Sequence, residues 1–83
     1  MDIKIQNNYK NREETLTIQN VNGTAKLIDQ NGKSMGKRIR AKHLQNNEFF
    51  NMMLESIAIQ YDRKELSPEE ATEIKKAILN IVK

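Results

Sequence analysis

The sequence predicts an α+β fold in which a three- or four-stranded antiparallel meander is followed by an antiparallel two-helix hairpin packed on one face of the sheet. Three observations lead to this fold class. Alternating apolar and polar residues occur in the first half of the chain, two Asn-Gly pairs interrupt it, and apolar residues spaced three and four apart dominate the second half. A chain of 83 residues has room for one domain, so we expect residues 1–83 to fold as a single unit.

The first predicted strand is short and half-buried. Ile3 and Ile5 alternate with polar residues, which predicts a strand over residues 2–6 with one face toward the core. Residues 9–14 are polar, and we expect them to connect this strand to the next one.

A β-hairpin is predicted next. Residues 15–21 alternate, are rich in β-branched side chains, and lead into Asn22-Gly23, a pair that favours a two-residue type I′ turn. Residues 24–29 then form the returning strand. This register predicts that four apolar side chains share one face: Leu16, Ile18, Ala25 and Leu27.

A second Asn-Gly pair begins at Asn31 and predicts another turn, with a fourth strand over residues 34–40. A simple two-residue turn would place Lys26 opposite Lys37, and like charges directly opposite each other are unfavourable. We therefore expect a bulge near Gly36 that changes the register of this hairpin.

The second half of the chain predicts two helices. Apolar residues recur every three or four positions over residues 45–62, which indicates the first helix. The second is expected over residues 68–82, with Ser67 as N-cap, Pro68 in the first turn and Glu70 placed to close a capping box. The short connection predicts that the two helices are antiparallel neighbours.

The composition excludes several classes of protein. The chain has no cysteine, which rules out a disulfide framework and a thiolate zinc site and favours a reducing compartment. No stretch approaches the ~20 consecutive apolar residues that cross a bilayer, and the first ten residues lack the apolar core of a signal peptide. We expect a cytoplasmic protein without a membrane partner. Its richness in Asn, Ile and Lys is typical of AT-rich coding sequences, which many phages, plasmids and low-GC bacteria have, and we expect a phage or other mobile element as its source.

No catalytic or cofactor site is predicted. His43 is the one histidine in the sequence. No serine, threonine or lysine lies in a motif that would activate that residue as a nucleophile. The carboxylate pairs beginning at Glu13 and Glu69 are interpreted as a solvated connection and as helix-capping charge, not as an acid and a base. No phosphate-loop or metal-ligand spacing is found. We therefore expect a binding protein without enzymatic activity, cofactor or metal.

The positive charge of the chain is concentrated in one segment. The net charge is +3, from 14 Lys and Arg against 11 Asp and Glu, and no acidic residue lies between Asp29 and Glu48. Five cations in this interval exceed the whole net charge, so the rest of the chain is slightly acidic. A nucleic acid, most of all DNA, is the leading partner, and the predicted contact residues are Lys26, Lys33, Lys37, Arg38, Arg40, Lys42 and His43.

This basic hairpin has two interpretations. Antiparallel strands can enter a DNA groove, and Arg38 and Arg40 are the natural residues to contact bases there. Alternatively, lysines on an outer strand only keep the sheet edge soluble and prevent its pairing with other chains. Binding of RNA or of single strands is less favoured, because stacking needs aromatic residues on the exposed sheet and this chain has few.

A second functional hypothesis is a small inhibitor, adaptor or regulator that binds a protein through a helical surface. Met52 and Ile59 lie seven residues apart, off the main apolar stripe of the first helix. With two residues near the chain end they form the predicted interface: Met52, Ile59, Leu79 and Val82. If these side chains are exposed, a homodimer through the helices is their simplest use. Otherwise they pack against the first strand and the other helix.

Overall fold

A four-stranded antiparallel sheet with helices packed on it forms the structure, a computed structural model that describes residues 1–82. The strands are β1 (Asp2–Asn7), β2 (Arg12–Val21), β3 (Thr24–Ile28) and β4 (Ser34–Ile39), in the order β1-β2-β3-β4. The helices are α1 (Ala41–Leu44), α2 (Asn47–Gln60) and α3 (Pro68–Val82). The α+β class is confirmed, and α1 is an additional helix of one turn that the sequence did not predict.

The first hairpin has the predicted register. Asn22 and Gly23 have φ values of 52° and 79°, and a type I′ turn requires positive φ at both central residues. Ile18 pairs with Leu27 across the hairpin. The four apolar side chains expected on one face are all buried: Leu16, Ile18, Ala25 and Leu27.

The expected bulge near Gly36 is also present. The pairing of β3 with β4 shifts register between Leu27 and Ala25, whose partners are Met35 and Ile39. Three residues of β4 therefore lie opposite a single residue of β3. Gly36 is the first of these three and has a φ of 62°, a conformation that glycine adopts without a steric cost. The bulge interrupts the ladder of β4, which is an edge strand of the sheet.

The first long helix begins later than the apolar pattern indicates. That pattern predicts a helix over residues 45–62, whereas α2 runs from Asn47 to Gln60. The side chain of Asn46 explains the start, because its Oδ1 accepts a hydrogen bond from the N–H of Phe49 at 3.1 Å and caps the helix.

One apolar cluster lies between the sheet and the helices. The inward side chains of the strands meet those of the helices, and α3 lies over β1, β2 and β3. The members contributed by the helical half are Ile57, Tyr61, Ile74, Ala77, Ile78 and Val82. Because burying one such aliphatic or aromatic side chain contributes ~1.5–3 kcal/mol, this shared cluster is what holds the two layers together.

The start of α3 has the predicted capping box. The N–H of Ser67 donates to Glu70 Oε1 at 2.7 Å, and the N–H of Glu70 donates to Ser67 Oγ at 3.1 Å. The other oxygen of the same carboxylate, Oε2, accepts hydrogen bonds from Arg63 Nη1 at 2.9 Å and from the N–H of Gln6 at 3.1 Å. Glu70 thus joins the helix cap to the outer edge of β1.

A second polar cluster surrounds Glu14 on β2. Nδ2 of the buried Asn7 donates to Glu14 Oε2 at 3.3 Å and to Asp62 Oδ2 at 3.2 Å. Lys10 Nζ and Arg12 Nε each lie 3.3 Å from Glu14 Oε1. Burial acts to raise the pKa of Glu14, but the hydrogen bond from Asn7 and the two cations outweigh it, and the pKa is lowered.

Stability is expected to fall in acid because of these two clusters. Burial acts to raise the pKa of Glu70 as well, but the hydrogen bonds from Arg63, Ser67 and Gln6 lower it. Since the folded-state pKa values of Glu14 and Glu70 lie below the ordinary 4.5, both carboxylates stabilise the fold above that pH. This stabilisation is lost as the pH falls through the folded-state values.

Urea denaturation at pH values from about 7 down to about 3 tests this expectation. The midpoint should drop once the pH is below 4.5, the unfolded-state value. A variant with Glu14→Gln and Glu70→Gln should show a flatter dependence on pH, because neither site then titrates. An unchanged slope in this variant would assign the acid sensitivity to other carboxylates.

Candidate nucleic-acid interface and helical surface

Five of the predicted cations lie along one edge of the sheet. They come from the turn before β4, from the bulge in β4, and from the start of α1. All five are exposed, and we call them the basic edge: Lys33, Lys37, Arg38, Arg40 and Lys42. The bulge and α1 position them, since Lys37 and Arg38 lie in the bulge between two paired positions of β4, and α1 begins directly after Arg40.

No carboxylate within residues 1–82 forms an ion pair with the basic edge. The ion pairs of this part of the chain involve Lys10, Arg12 and Arg63 with Glu14 and Glu70. An extended chain advances ~3.3 Å per residue, so the basic edge is at most about 30 Å long. That length corresponds to at most about nine phosphate steps of one DNA strand. The arrangement can therefore neutralise several phosphates at once.

The other two predicted contact residues lie differently. Lys26 is half-buried and sits on β3 opposite the bulge. His43 is half-buried as well, and its ring stacks on Phe49 with the centroids 4.6 Å apart. The N–H of Arg40 donates to His43 Nδ1 at 3.0 Å, which caps the start of α1. His43 thus supports the local structure of the basic edge through this nitrogen.

The aromatic side chains lie away from the open face of the sheet. Tyr9 is exposed in the turn between β1 and β2, Phe49 and Phe50 belong to α2, and Tyr61 is buried under the sheet. Base stacking on a sheet requires aromatic residues on its exposed face. Charge along the edge is therefore the feature that could bind a nucleic acid.

The predicted helical surface is exposed in three of its four residues. Met52, Ile59 and Leu79 are 67%, 72% and 41% exposed. Val82 is different, because it is only 6% exposed and belongs to the core cluster. The expectation that Val82 contributes to an exposed interface is therefore corrected: it lies on the buried side of α3.

An apolar groove of about 270 Å³ lies between α2 and the strands β3 and β4, and the sequence did not predict it. Three of the four methionines line it: Met35, Met52 and Met53. Lys37, from the bulge, lines it from the strand side. Its walls come from a hairpin and a helix that are separated along the chain, so no local pattern could reveal it.

Comparison with known proteins finds no match for this chain among family models, curated proteins or solved structures. No helix within residues 1–82 is long and apolar enough to span a bilayer. The same residues contain no group of three or more His, Asp or Glu side chains arranged to hold a metal ion. The surface features of the described residues that bear on function are the basic edge, the exposed helical residues and the groove.

Proposed function

We propose that this protein is a small, non-enzymatic nucleic-acid-binding protein that contacts DNA through the basic edge. The observation that carries the proposal is the row of five exposed cations without a carboxylate partner in the described chain. Such cations replace counterions condensed on DNA, and the release of those counterions drives association. A cytoplasmic location and an origin in a phage or another mobile element belong to the same proposal and are supported by the composition alone.

The two arginines of the basic edge differ from its lysines in the hydrogen bonds that they can donate. Lysine ammonium groups act as point charges on phosphates, whereas the planar guanidinium group donates two parallel hydrogen bonds to a phosphate or to a guanine edge. Arg38 lies in the bulge, Arg40 directly follows β4, and both are exposed. We infer that all five cations contact phosphates on a random-sequence duplex, and that Arg38 and Arg40 are the two that can exchange a phosphate for a guanine edge at a specific site.

Neutralising the two arginines tests the proposal. Arg38→Ala with Arg40→Ala should weaken binding to a labelled random-sequence duplex and reduce the slope of log K against log salt by about 1.8, because each phosphate contact contributes about 0.9. The matched control, Lys64→Ala with Lys76→Ala, removes the same charge from exposed positions outside the basic edge. This control should keep the wild-type slope. Binding is measured by fluorescence anisotropy at several salt concentrations.

Two results would reject the basic edge as the binding site. One is a wild-type protein that does not bind the duplex at low salt, and the other is an equal loss in both double variants. If the cations only protect an edge strand, Arg38→Ala with Arg40→Ala should instead self-associate. Light scattering on the same samples would show that as an increase in mass.

A second candidate function is that of an inhibitor, adaptor or regulator that binds another protein through α2. The observation that favours it is the exposure of Met52 and Ile59, since large apolar side chains clustered on a surface mark interaction sites. Binding of such a partner would be lost with Ile59→Asp and retained with Arg38→Ala and Arg40→Ala. The opposite pattern would support the nucleic-acid proposal.

A further inference from the structure

The outer side of α2 carries a ridge of apolar and acidic side chains. Four residues spaced four, three and four positions apart fall on one line of a helix. All four are exposed on the side opposite the core, and we call them the α2 ridge: Glu48, Met52, Glu55 and Ile59. Two carboxylates and two large apolar groups in one line form a surface that is acidic and apolar at once.

The groove beside this ridge has the complementary character. Its lining is largely apolar and rich in methionine, a side chain that adapts its shape to a partner. Lys37 lines the groove from β4, and Arg38 follows it in the bulge. Apolar groups of the ridge could therefore occupy the groove while Glu55 lies near these cations. The ridge and the groove are both largely apolar, and the charges beside them are opposite in sign.

The ridge cannot enter the groove of its own chain. Met52 belongs to the ridge and also lines the groove, so the two surfaces lie side by side on one molecule. Within residues 1–82 no ion pair joins Glu48 or Glu55 to the basic edge. A second copy can satisfy both surfaces if a two-fold axis relates the two α2 helices, since each ridge then faces the other groove.

We propose that two copies of this chain form a two-fold dimer in which the α2 ridge of each packs into the groove of the other. Glu55 of one copy lies beside Lys37 of the other, and this contact occurs twice because of the symmetry. Met52 lies near the axis, where it is removed from water on both copies. The dimer is supported by apolar and charge complementarity and does not depend on nucleic acid. It pairs Lys37 with Glu55 and leaves Lys33, Arg40 and Lys42 of the basic edge outside the groove.

The mass of the free protein is the first test. Sedimentation equilibrium over a concentration series should give twice the chain mass of 9.7 kDa at the upper concentrations. Met52→Asp should raise the dimer dissociation constant on the order of 100-fold, because it buries a carboxylate in an apolar contact. Since Met52 is exposed in the monomer, the variant should keep the wild-type circular dichroism spectrum, and the two thermal midpoints should agree at concentrations where both proteins are monomeric.

Charge reversal tests the orientation of the dimer. Lys37→Glu and Glu55→Lys should each raise the dissociation constant by about tenfold or more, because like charges then meet twice in each dimer. Mixing the two variants should restore association, since each reversed charge meets an opposite one in the mixed dimer. The control Glu73→Lys reverses an exposed carboxylate on α3 outside the ridge and should leave the dissociation constant unchanged.

Several outcomes would overturn the dimer. One is a wild-type protein that remains monomeric at about 1 mM, the limit of weak association. Another is a dimer that Met52→Asp does not weaken, and a third is a mixture of the two charge variants that fails to associate. If the wild-type monomer bound an acidic amphipathic peptide instead, the groove would serve a different protein, and the proposal of self-association would be wrong.

Discussion

Tyr61→Ala is expected to lower the free energy of unfolding by about 4–5 kcal/mol. Tyr61 follows α2, is fully buried, and is the largest of the fully buried side chains. Its hydroxyl donates to the carbonyl oxygen of Thr15 at 2.7 Å, so the ring fills the core while the hydroxyl satisfies a backbone acceptor of β2. Because a domain of this size has a stability of roughly 4–12 kcal/mol, this substitution should remove between about a third and all of it.

Tyr61→Phe separates the two contributions. It keeps the ring and removes the hydroxyl, which leaves the Thr15 carbonyl without its donor and should cost about 1–2 kcal/mol. Burial raises the pKa of the Tyr61 hydroxyl, and the negative charges of Asp29 and Glu14 raise it further. The hydroxyl therefore keeps its proton in alkaline solution, and the cost of Tyr61→Phe should be the same at neutral and at mildly alkaline pH.

Urea denaturation followed by circular dichroism measures both costs. Tyr9→Ala is the matched control, since Tyr9 is 85% exposed in a turn and its loss should change stability by less than about 0.5 kcal/mol. If Tyr61→Phe were as damaging as Tyr61→Ala, the hydrogen bond and not the ring would carry the effect. Equal effects at Tyr61 and Tyr9 would contradict the buried position of Tyr61.

The elements that local chemistry specifies were the ones that could be predicted. The register of the first hairpin follows from Asn22-Gly23, because that pair alone sets the turn type and so the pairing of both strands. The cap of α3 follows from Ser67 and Glu70 in the same way. The start of α2 was predicted two residues early, at residue 45, because the apolar spacing begins before the polar cap at Asn46 where the helix starts.

The charge of the candidate site was predictable, and the predicted meander already placed most of these cations on its outer strand. The helix α1, which carries Lys42, was not predicted. The stacking of His43 on Phe49 joins α1 and α2, and no local pattern in the sequence indicates it. The burial of Val82 is indicated by a local pattern. Ile74, Ile78 and Val82 are spaced four residues apart and so share the buried stripe of α3.

Glu70 joins β1, the loop before α3 and the cap of α3 through one carboxylate. Glu70→Ala should lower the free energy of unfolding by about 3 kcal/mol, because it removes the capping box and leaves Arg63 without its acid. The side chain of Arg63 is only 12% exposed, so water cannot fully replace the lost partner. Glu70→Gln keeps the size of the side chain and some acceptor capacity, and it should cost less.

Amide hydrogen exchange can show whether the loss of the Glu70 carboxylate destabilises the outer edge of β1. The N–H of Gln6 points away from β2 and donates to Glu70 Oε2, so its hydrogen exchange should accelerate in Glu70→Ala more than that of neighbouring amides in β1. Glu69→Ala is the matched control, because Glu69 is exposed and lies in the same first turn of α3. This substitution should cost only about 0.5 kcal/mol of interaction with the helix dipole. If the two substitutions cost the same and Gln6 exchanges normally in both, the helix dipole would explain the effect. A larger cost for Glu70→Ala together with faster exchange at Gln6 would establish that one carboxylate stabilises both the outer edge of β1 and the start of α3.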